Sequence, residues 1–455
     1  MAIDLSKIKN IVVVMLENRS FDHMLGYLSL PPFSRKDVDG QNADPAWLTR
    51  FTNSDGDLSH RPFLSADPHT MPGEFDPPHE RPNVAANLGK LQGDRYPMNG
   101  FVSGIPSKVA VDPAVRKLVM SYFGVDQAPM NHFFAQNFTI CDKWFSSLPA
   151  GTQPNRLMSM SGYSKIDLNC KILPEHELVY DWLTKNKISW RVYHQGIPFF
   201  AMMPRWLPKI LLNDHFRDFK KLEEDLGNTP PDELPQVIFV EPTYQDAPHL
   251  GFGTDDHAPA GISNGQEFLM ETYNAVISSR SFWKGAAMIV DYDEHGGFFD
   301  HVSPPMIGTN PPPGANYTAP FVSLGVRTPA HVISPFVQKG AVNHTLLDHT
   351  SVLKFIGEKF GDKGSYSPLV DARPVGSVSA VLDFDNPIAD PPPPPPLDTY
   401  LAARPPKPEG ATVPVPNTSL QQGFQAALES LIQSGAGLDH AKFGELLRAV
   451  RDMAV

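Results

Sequence analysis

Apolar residues gather in short unbroken runs bounded by loop-forming residues, at 11–16, 236–240, 286–291, 321–326 and 331–335. Runs of this length, rich in Val, Ile and Phe, read as strands buried on both faces of a sheet. A helical period appears at 266–279, through Phe268, Leu269, Tyr273, Val276 and Ile277. It recurs at 345–360, through Leu346, Leu347, Val352, Leu353, Phe355 and Ile356. Strands interleaved with helices predict an α/β fold on a parallel sheet.

Residues 27–115 hold no sustained period and carry many Pro, Asp, Asn and Gly. They are expected to run over the sheet's edge and build active-site walls. After Asp385 the pattern becomes a polyproline-type spacer, with prolines at 391–396 and at 405, 406, 408, 414 and 416. A last helical stretch at 418–452 carries Phe424, Ala427, Leu428, Leu431 and Ile432, then Phe443, Leu446, Leu447 and Val450. It is expected to pack on the core or on a partner. The chain thus divides into a catalytic domain at 1–386, a spacer at 387–417 and a helical tail at 418–455, with no internal repeat.

Composition narrows the picture. The 455 residues include 47 prolines, in keeping with long ordered loops. A formal net charge of −12 argues against a nucleic-acid partner and against lipid docking by charge alone. No run approaches the roughly 20 apolar residues that span a membrane. The run 11–16 is too short for a signal peptide and ends at Glu17 without a small-residue cleavage site. By sequence the chain is therefore expected to be soluble and cytoplasmic. Cys141 and Cys170 exclude a thiolate metal cluster and are expected as buried thiols, one optional bridge remaining open.

Candidate chemistry sits where the buried runs end. Glu17 and Asn18 follow the first run, at the carboxyl edge where open α/β sheets place ligands. A carboxylate and an amide oxygen there suit a hard cation; a polar strand end that turns the chain is the plain alternative. The run 286–291 leads into Asp293 and Glu294 in the same way. Residues 291–301 hold four acids and two histidines, which would repel one another in a cleft unless a cation or phosphate used them. A solvated charged loop is the alternative. Gly296 and Gly297 allow a tight turn that would fold His295, Asp300 and His301 over the same site.

Thr152 stands just before a proline-containing helix start, Gln153-Pro154-Asn155-Arg156. Such a threonine is usually an ordinary cap. Free amides and the helix dipole would nevertheless favour an anion there, and a metal at the hydroxyl would activate it as a nucleophile. His79 and His257 lie in Asp/Pro-rich loops and could bind phosphate or protonate a leaving group; unremarkable surface histidines are the alternative. His132, beside Phe133 and Phe134 on an apolar stretch, is expected to be structural. Phosphate-loop, paired-cysteine, zincin and nucleophile-elbow motifs are absent from the sequence.

Taken in order, 11–26 with its Glu-Asn-Arg-Ser-Phe-Asp-His, 152–156, 255–259, 292–305, 325–336 and 348–351 resemble the phosphoesterase family of bacterial phospholipases C and related acid phosphatases. The resemblance implies an alkaline-phosphatase/sulfatase-like α/β sandwich, with a mixed, mostly parallel sheet flanked by helices and long loop insertions. It implies one divalent metal ion (Ca, Mg, Mn, Zn or Fe) held by Glu17, Asn18, Thr152, Asp293 and Glu294, with Thr152 passing through a phosphothreonine. It further implies catalytic histidines, His79 and His257 foremost and then His295 and His301. Asn155, Arg156 and Asp300 are expected beside the substrate, a small phosphate ester or phospholipid headgroup. Threonine rather than serine at 152 leans toward phospholipase C over the rival acid phosphatase. A catalytically silent metal-binding interaction protein is the rival of another class, and a sulfatase ranks last. Larger phospholipases of this kind carry β-rich modules where this chain has its spacer and tail, and family members are often exported.

Overall fold

The β-branched run after Asn10 forms β1 (Asn10–Leu16), an inner strand of an eight-stranded sheet. The structure, a computed structural model, describes residues 4–65, 67, 75–110, 112–212, 214–248, 253–397 and 417–433. Across the sheet the order is β8 (Val342–Asn343), β2 (Thr139–Cys141), β7 (Ala330–Ile333), β6 (Ala286–Tyr292), β1, β5 (Val237–Glu241), β3 (Trp190–His194) and β4 (Phe216–Asp218). Every neighbouring pair is parallel except those made by β7, which runs antiparallel to both β6 and β2. The sheet is therefore mixed and mostly parallel rather than wholly parallel.

Helices cover both faces, which is why the central strands read as continuous apolar runs. Helices α1 (Thr152–Ser161) and α3 (Thr350–Phe360) lie over Val13 and Met15, sharing a cavity lining with them. On the other face α2 (Ser263–Ile277) packs beside the helix Pro129–Asn137, whose Asn131 bonds Gln266 and reaches Tyr292. A second core brings Phe51, Phe75, Val84, Leu88 and Phe101 from the long excursion onto Phe298 and Phe299.

Three expected elements differ. Residues 321–326 form no strand: Phe321 makes a single bridge with Thr309, and the next amides bond Pro305 and Ser146. A short apolar run cannot distinguish a strand from a buried extended loop. The helix expected from 345 begins at Thr350, because Leu347–Asp348 first pair with Trp144–Phe145. The tail helix, α4, spans Ser419–Gln433, and 434–452 lie outside the described residues. The start of the spacer lies along the body, with Pro392 and Ile388 carbonyls accepting from Tyr273 and Trp283. Both cysteines are free thiols, Cys141 buried and Cys170, against expectation, only partly so. No helix among the described residues is long and apolar enough to cross a membrane.

Candidate active site

Parallel register makes the site. Leu16 stands opposite Tyr292 where β1 and β6 end, so the next residues, Glu17 and Asp293, emerge side by side. Asp293 N donates to Leu16 O at 3.1 Å, and Glu17 N donates to Asp255 O at 2.8 Å. Asn18 then adopts a left-handed backbone (φ 62°), a conformation asparagine tolerates better than most residues. Its amide donates to Asp293 Oδ1 at 3.2 Å, and Arg19 N donates to Glu294 O at 3.0 Å. The turn after the acids needs its glycines. At Gly296 (φ 62°) a Cβ would lie 2.2 Å from Asn18 O, and at Gly297 (φ 75°) 2.8 Å from Pro77 Cβ. This turn sets the acids against both Asn18 and the 77–79 loop.

Thr152 opens α1, with Gly151 as the cap residue, and is fully buried. Asn155 spends its side chain on the loop before it: Oδ1 accepts from Leu148 N, and Nδ2 donates to Leu148, Ala150 and Gly151 carbonyls. Asn155 thus forms a brace under Gly151 and Thr152. Arg156 turns toward the strand ends. One turn along α1, it donates to Tyr244 Oη and to the Met15 and Leu16 carbonyls, while its Nε lies 3.2 Å from Glu17 Oε1 and 3.5 Å from Asp293 Oδ2. It binds the two strand-end carboxylates together from beneath.

His79 and His257 face each other with ring centroids 5.7 Å apart. His79 Nδ1 donates to Pro77 O at 2.7 Å, leaving Nε2 3.4 Å from Asn18 Nδ2 and 3.9 Å from Glu294 Oε1. Burial disfavours the His79 charge, but Glu294 and Asp76 outweigh it and push the ring up to about 9. His257 sits among Glu17 (3.3 Å), Asp76 (3.5 Å) and Asp246 (3.6 Å). Against the pull of burial, Asp246 and Asp76 hold it well above the ordinary histidine range. Burial and then Glu17 drive Asp293 well above the usual carboxylate range, and the same causes push Asp255 up to about 7. Glu17 goes the other way: burial is outweighed by Arg156 and His257.

The chemistry of these residues is that of a cation site. Both carboxylate oxygens of Glu17, Asn18 Oδ1, Thr152 Oγ1, Asp293 Oδ2 and Glu294 Oε1 are buried without a hydrogen-bond partner among the described residues. Buried oxygens in that state cost about 1–3 kcal/mol each, more when charged, unless something binds them. An all-oxygen set of this kind suits a hard ion. Among the described residues, Glu17, Asp255 and His257, likewise Asp76, His79 and His257, and likewise Asp22, Asp300 and His301, bring ligand atoms within 4.8 Å of one another and could hold a metal ion.

The profile of the Phosphoesterase family matches residues 8–362, from β1 through α3. The chain belongs to the phosphoesterase family. As a phosphoesterase it is a phosphoric ester hydrolase. Its relatives include Arabidopsis thaliana non-specific phospholipase C1, 33% identical over 390 residues that cover 80% of this chain and 69% of that one. Arabidopsis non-specific phospholipase C6 is 32% identical over 89% of this chain and 78% of its own. Phospholipase C B of Mycobacterium tuberculosis is 29% identical over 78% and 74%. Among solved structures, a Vibrio parahaemolyticus protein in the alkaline phosphatase superfamily aligns at TM-score 0.33 and 12% identity, over 68% of this chain and 75% of its own.

The phosphoesterase departs from expectation beyond the glycine turn. His295 stays close, with Nδ1 3.1 Å from Glu294 Oε2 and Nε2 3.4 Å from Asn87 Oδ1. Asp300 and His301 do not fold over the same acids. His301 Nδ1 donates to Asp22 Oδ2 at 2.7 Å and its Nε2 lies 3.2 Å from Asp39, while Asp300 accepts from Arg327 at 3.0 Å. This second charged cluster ties 22, 39, 300 and 327 together and has partners of its own. His132 is bonded to Tyr27 Oη. Sequence reasoning left out Asp76, Tyr244, Asp246 and Asp255. Asp255 carried a signal, adjoining His257 in an acidic run; Asp246 had none, being a single acid in a loop.

Proposed function

We propose that this phosphoesterase cleaves phosphodiesters in the manner of a phospholipase C, through a phosphothreonine at Thr152. The observation that carries this is the buried, unbonded Thr152 Oγ1 at the first turn of a helix whose Arg156 grips Glu17 and Asp293. The names of its relatives, phospholipases C, support the phosphodiester class.

Glu17, Asn18, Thr152, Asp293 and Glu294 would hold a divalent ion, which when bound supplies Lewis-acid charge beside the hydroxyl and the phosphoryl oxygens. Thr152 Oγ1 loses its proton to a neighbouring carboxylate and attacks phosphorus in line as the bond to the alcohol oxygen breaks. His257 gives that oxygen its proton, and His79 presents its Nε2 side to the phosphoryl oxygens. The free amides at the start of α1 offset charge on the phosphoryl group. Water then attacks phosphorus and gives its proton to His257, while the bond to Thr152 breaks and Oγ1 takes back the proton held by the carboxylate, leaving a phosphate monoester and the free hydroxyl.

Thr152→Ala should abolish turnover with circular dichroism unchanged; near-wild-type rates in that variant would eliminate the covalent route. Faster turnover of p-nitrophenylphosphorylcholine than of p-nitrophenyl phosphate is expected. The reverse order would make the protein a phosphomonoesterase acting through the same centre.

A further inference from the structure

Helix α4 returns to the catalytic centre after the proline-rich stretch, and one side chain organises its first turn. Thr418 Oγ1 accepts from Gln421 N at 3.1 Å, while Gln421 Oε1 accepts from Asn417 N at 2.8 Å and Thr418 N at 3.1 Å. This is a reciprocal capping box, in which side chain and helix start hold each other. With Oε1 engaged, the amide nitrogen is the end that faces outward, and Nε2 donates to Asp246 Oδ1 at 2.9 Å. The other oxygen, Asp246 Oδ2, lies 3.6 Å from His257 Nδ1, on a side chain only 9% exposed.

Behind the cap the helix is well anchored. Leu420, Phe424 and Leu428 are buried. Phe424 stacks on Tyr244 with centroids 5.4 Å apart and meets Phe199 edge-on at 5.9 Å. Tyr244 Oη in turn accepts from Arg156, so the anchor bears on the brace beneath Glu17 and Asp293. Gly423 approaches so closely that a Cβ there would sit 2.9 Å from both Lys171 O and Met202 Sδ.

We infer that Gln421 is a positioning residue: by holding Asp246 in one orientation it aims His257 at the leaving alcohol, which makes the helix beyond the spacer a working part of the active centre. Without that donor, Asp246 is free to rotate, and one of the carboxylates that fix the His257 ring is lost. The inference rests on the reading of His257 as the acid that protonates the leaving group.

Full-length Gln421→Glu separates positioning from capping. A glutamate at this place in the box still accepts from the helix-start amides, but it sets a like charge in place of the donor to Asp246. Two soluble substrates are compared: dihexanoyl phosphatidylcholine, whose alcohol must be protonated, and p-nitrophenylphosphorylcholine, whose nitrophenolate leaves without a proton. Gln421→Glu should lower kcat/KM on the lipid by about tenfold or more, a part of the roughly 10²–10⁴ that a general acid contributes. The kcat/KM of the nitrophenyl ester, which ends before the water step, and the melting temperature should stay near wild type. His257→Gln should slow both substrates and the lipid more, so that the lipid-to-nitrophenyl ratio falls further than in Gln421→Glu. Equal losses on both substrates in Gln421→Glu, or losses that follow a fall in melting temperature, would reduce Gln421 to a structural residue and overturn the inference. A wild-type substrate ratio in Gln421→Glu beside an altered ratio in His257→Gln would sink the inference alone. A wild-type ratio in His257→Gln would remove His257 as the acid, and the inference with it.

Discussion

Gly296 shows how little freedom single positions in this site have. Its φ of 62° strains any L side chain, and the space a Cβ needs is filled by the Asn18 carbonyl. Gly296→Ala should destabilise the protein by about 1–3 kcal/mol in denaturant melts, the ordinary cost of forced backbone strain, and should lower kcat because Asn18 must move. His301 offers a residue-scale test by pH. Burial opposes its charge, but Asp22 and Asp39 outweigh burial and raise it to about 9, above the roughly 6.5 of an unfolded chain. A raised histidine adds stability that is complete below about pH 6.5 and fades as pH climbs through about 9. Asp300, pushed up to about 6 by burial despite Arg327, works below that window. Between those limits wild-type stability should therefore fall more steeply with pH than that of His301→Gln; identical slopes would show that the pairing contributes nothing.

At the scale of elements, the decisive object is the N-terminus of α1. Asn155 holds three carbonyls of the preceding loop and Arg156 holds two strand ends, so the helix is seated by its own first turn. Asn155→Ala leaves those groups unbonded and should cost about 1–3 kcal/mol, with a fall in kcat as Thr152 loosens. Unchanged kinetics would detach the brace from the chemistry. Element identity was legible in the sequence where a run was long and strongly patterned, as at 11–16, 286–291 and 266–279. It was not legible at 321–326, where an apolar run is buried as an irregular segment held by Pro305 and Ser146. Nor did sequence separate Leu347–Asp348 from the helix after it, because a two-residue pairing with Trp144–Phe145 leaves no period.

Over the whole molecule, the site gathers residues from every part of the chain: the start (Glu17, Asn18), the long excursion (Asp76, His79), the middle (Thr152, Asp246, His257), the later core (Asp293, Glu294) and α4. Bound cation should therefore stabilise the entire fold. An ion at 100 times its dissociation constant adds about 2.7 kcal/mol. Chelation should lower the melting temperature and abolish turnover, divalent ions should restore both, and the rise should shrink in Asp293→Asn. A melting temperature indifferent to chelator would contradict the metal assignment.

The sequence by itself determined the strands that end in Glu17-Asn18 and Asp293-Glu294, the helix that opens at Thr152 and the glycine turn at 296–297. Each is written in contiguous residues, where β-branched runs, caps and glycines act through local sterics. Only the tertiary structure decided that Arg156 points down to the carboxylates and that Asn155 braces its own loop. It alone sent His301 to Asp22 and set Asp246 between His257 and a glutamine about 175 residues away. A side chain's partner depends on which distant atoms surround it once the sheet is in register. Residue type and spacing state what a group can bind, and packing selects which of the possible partners it meets.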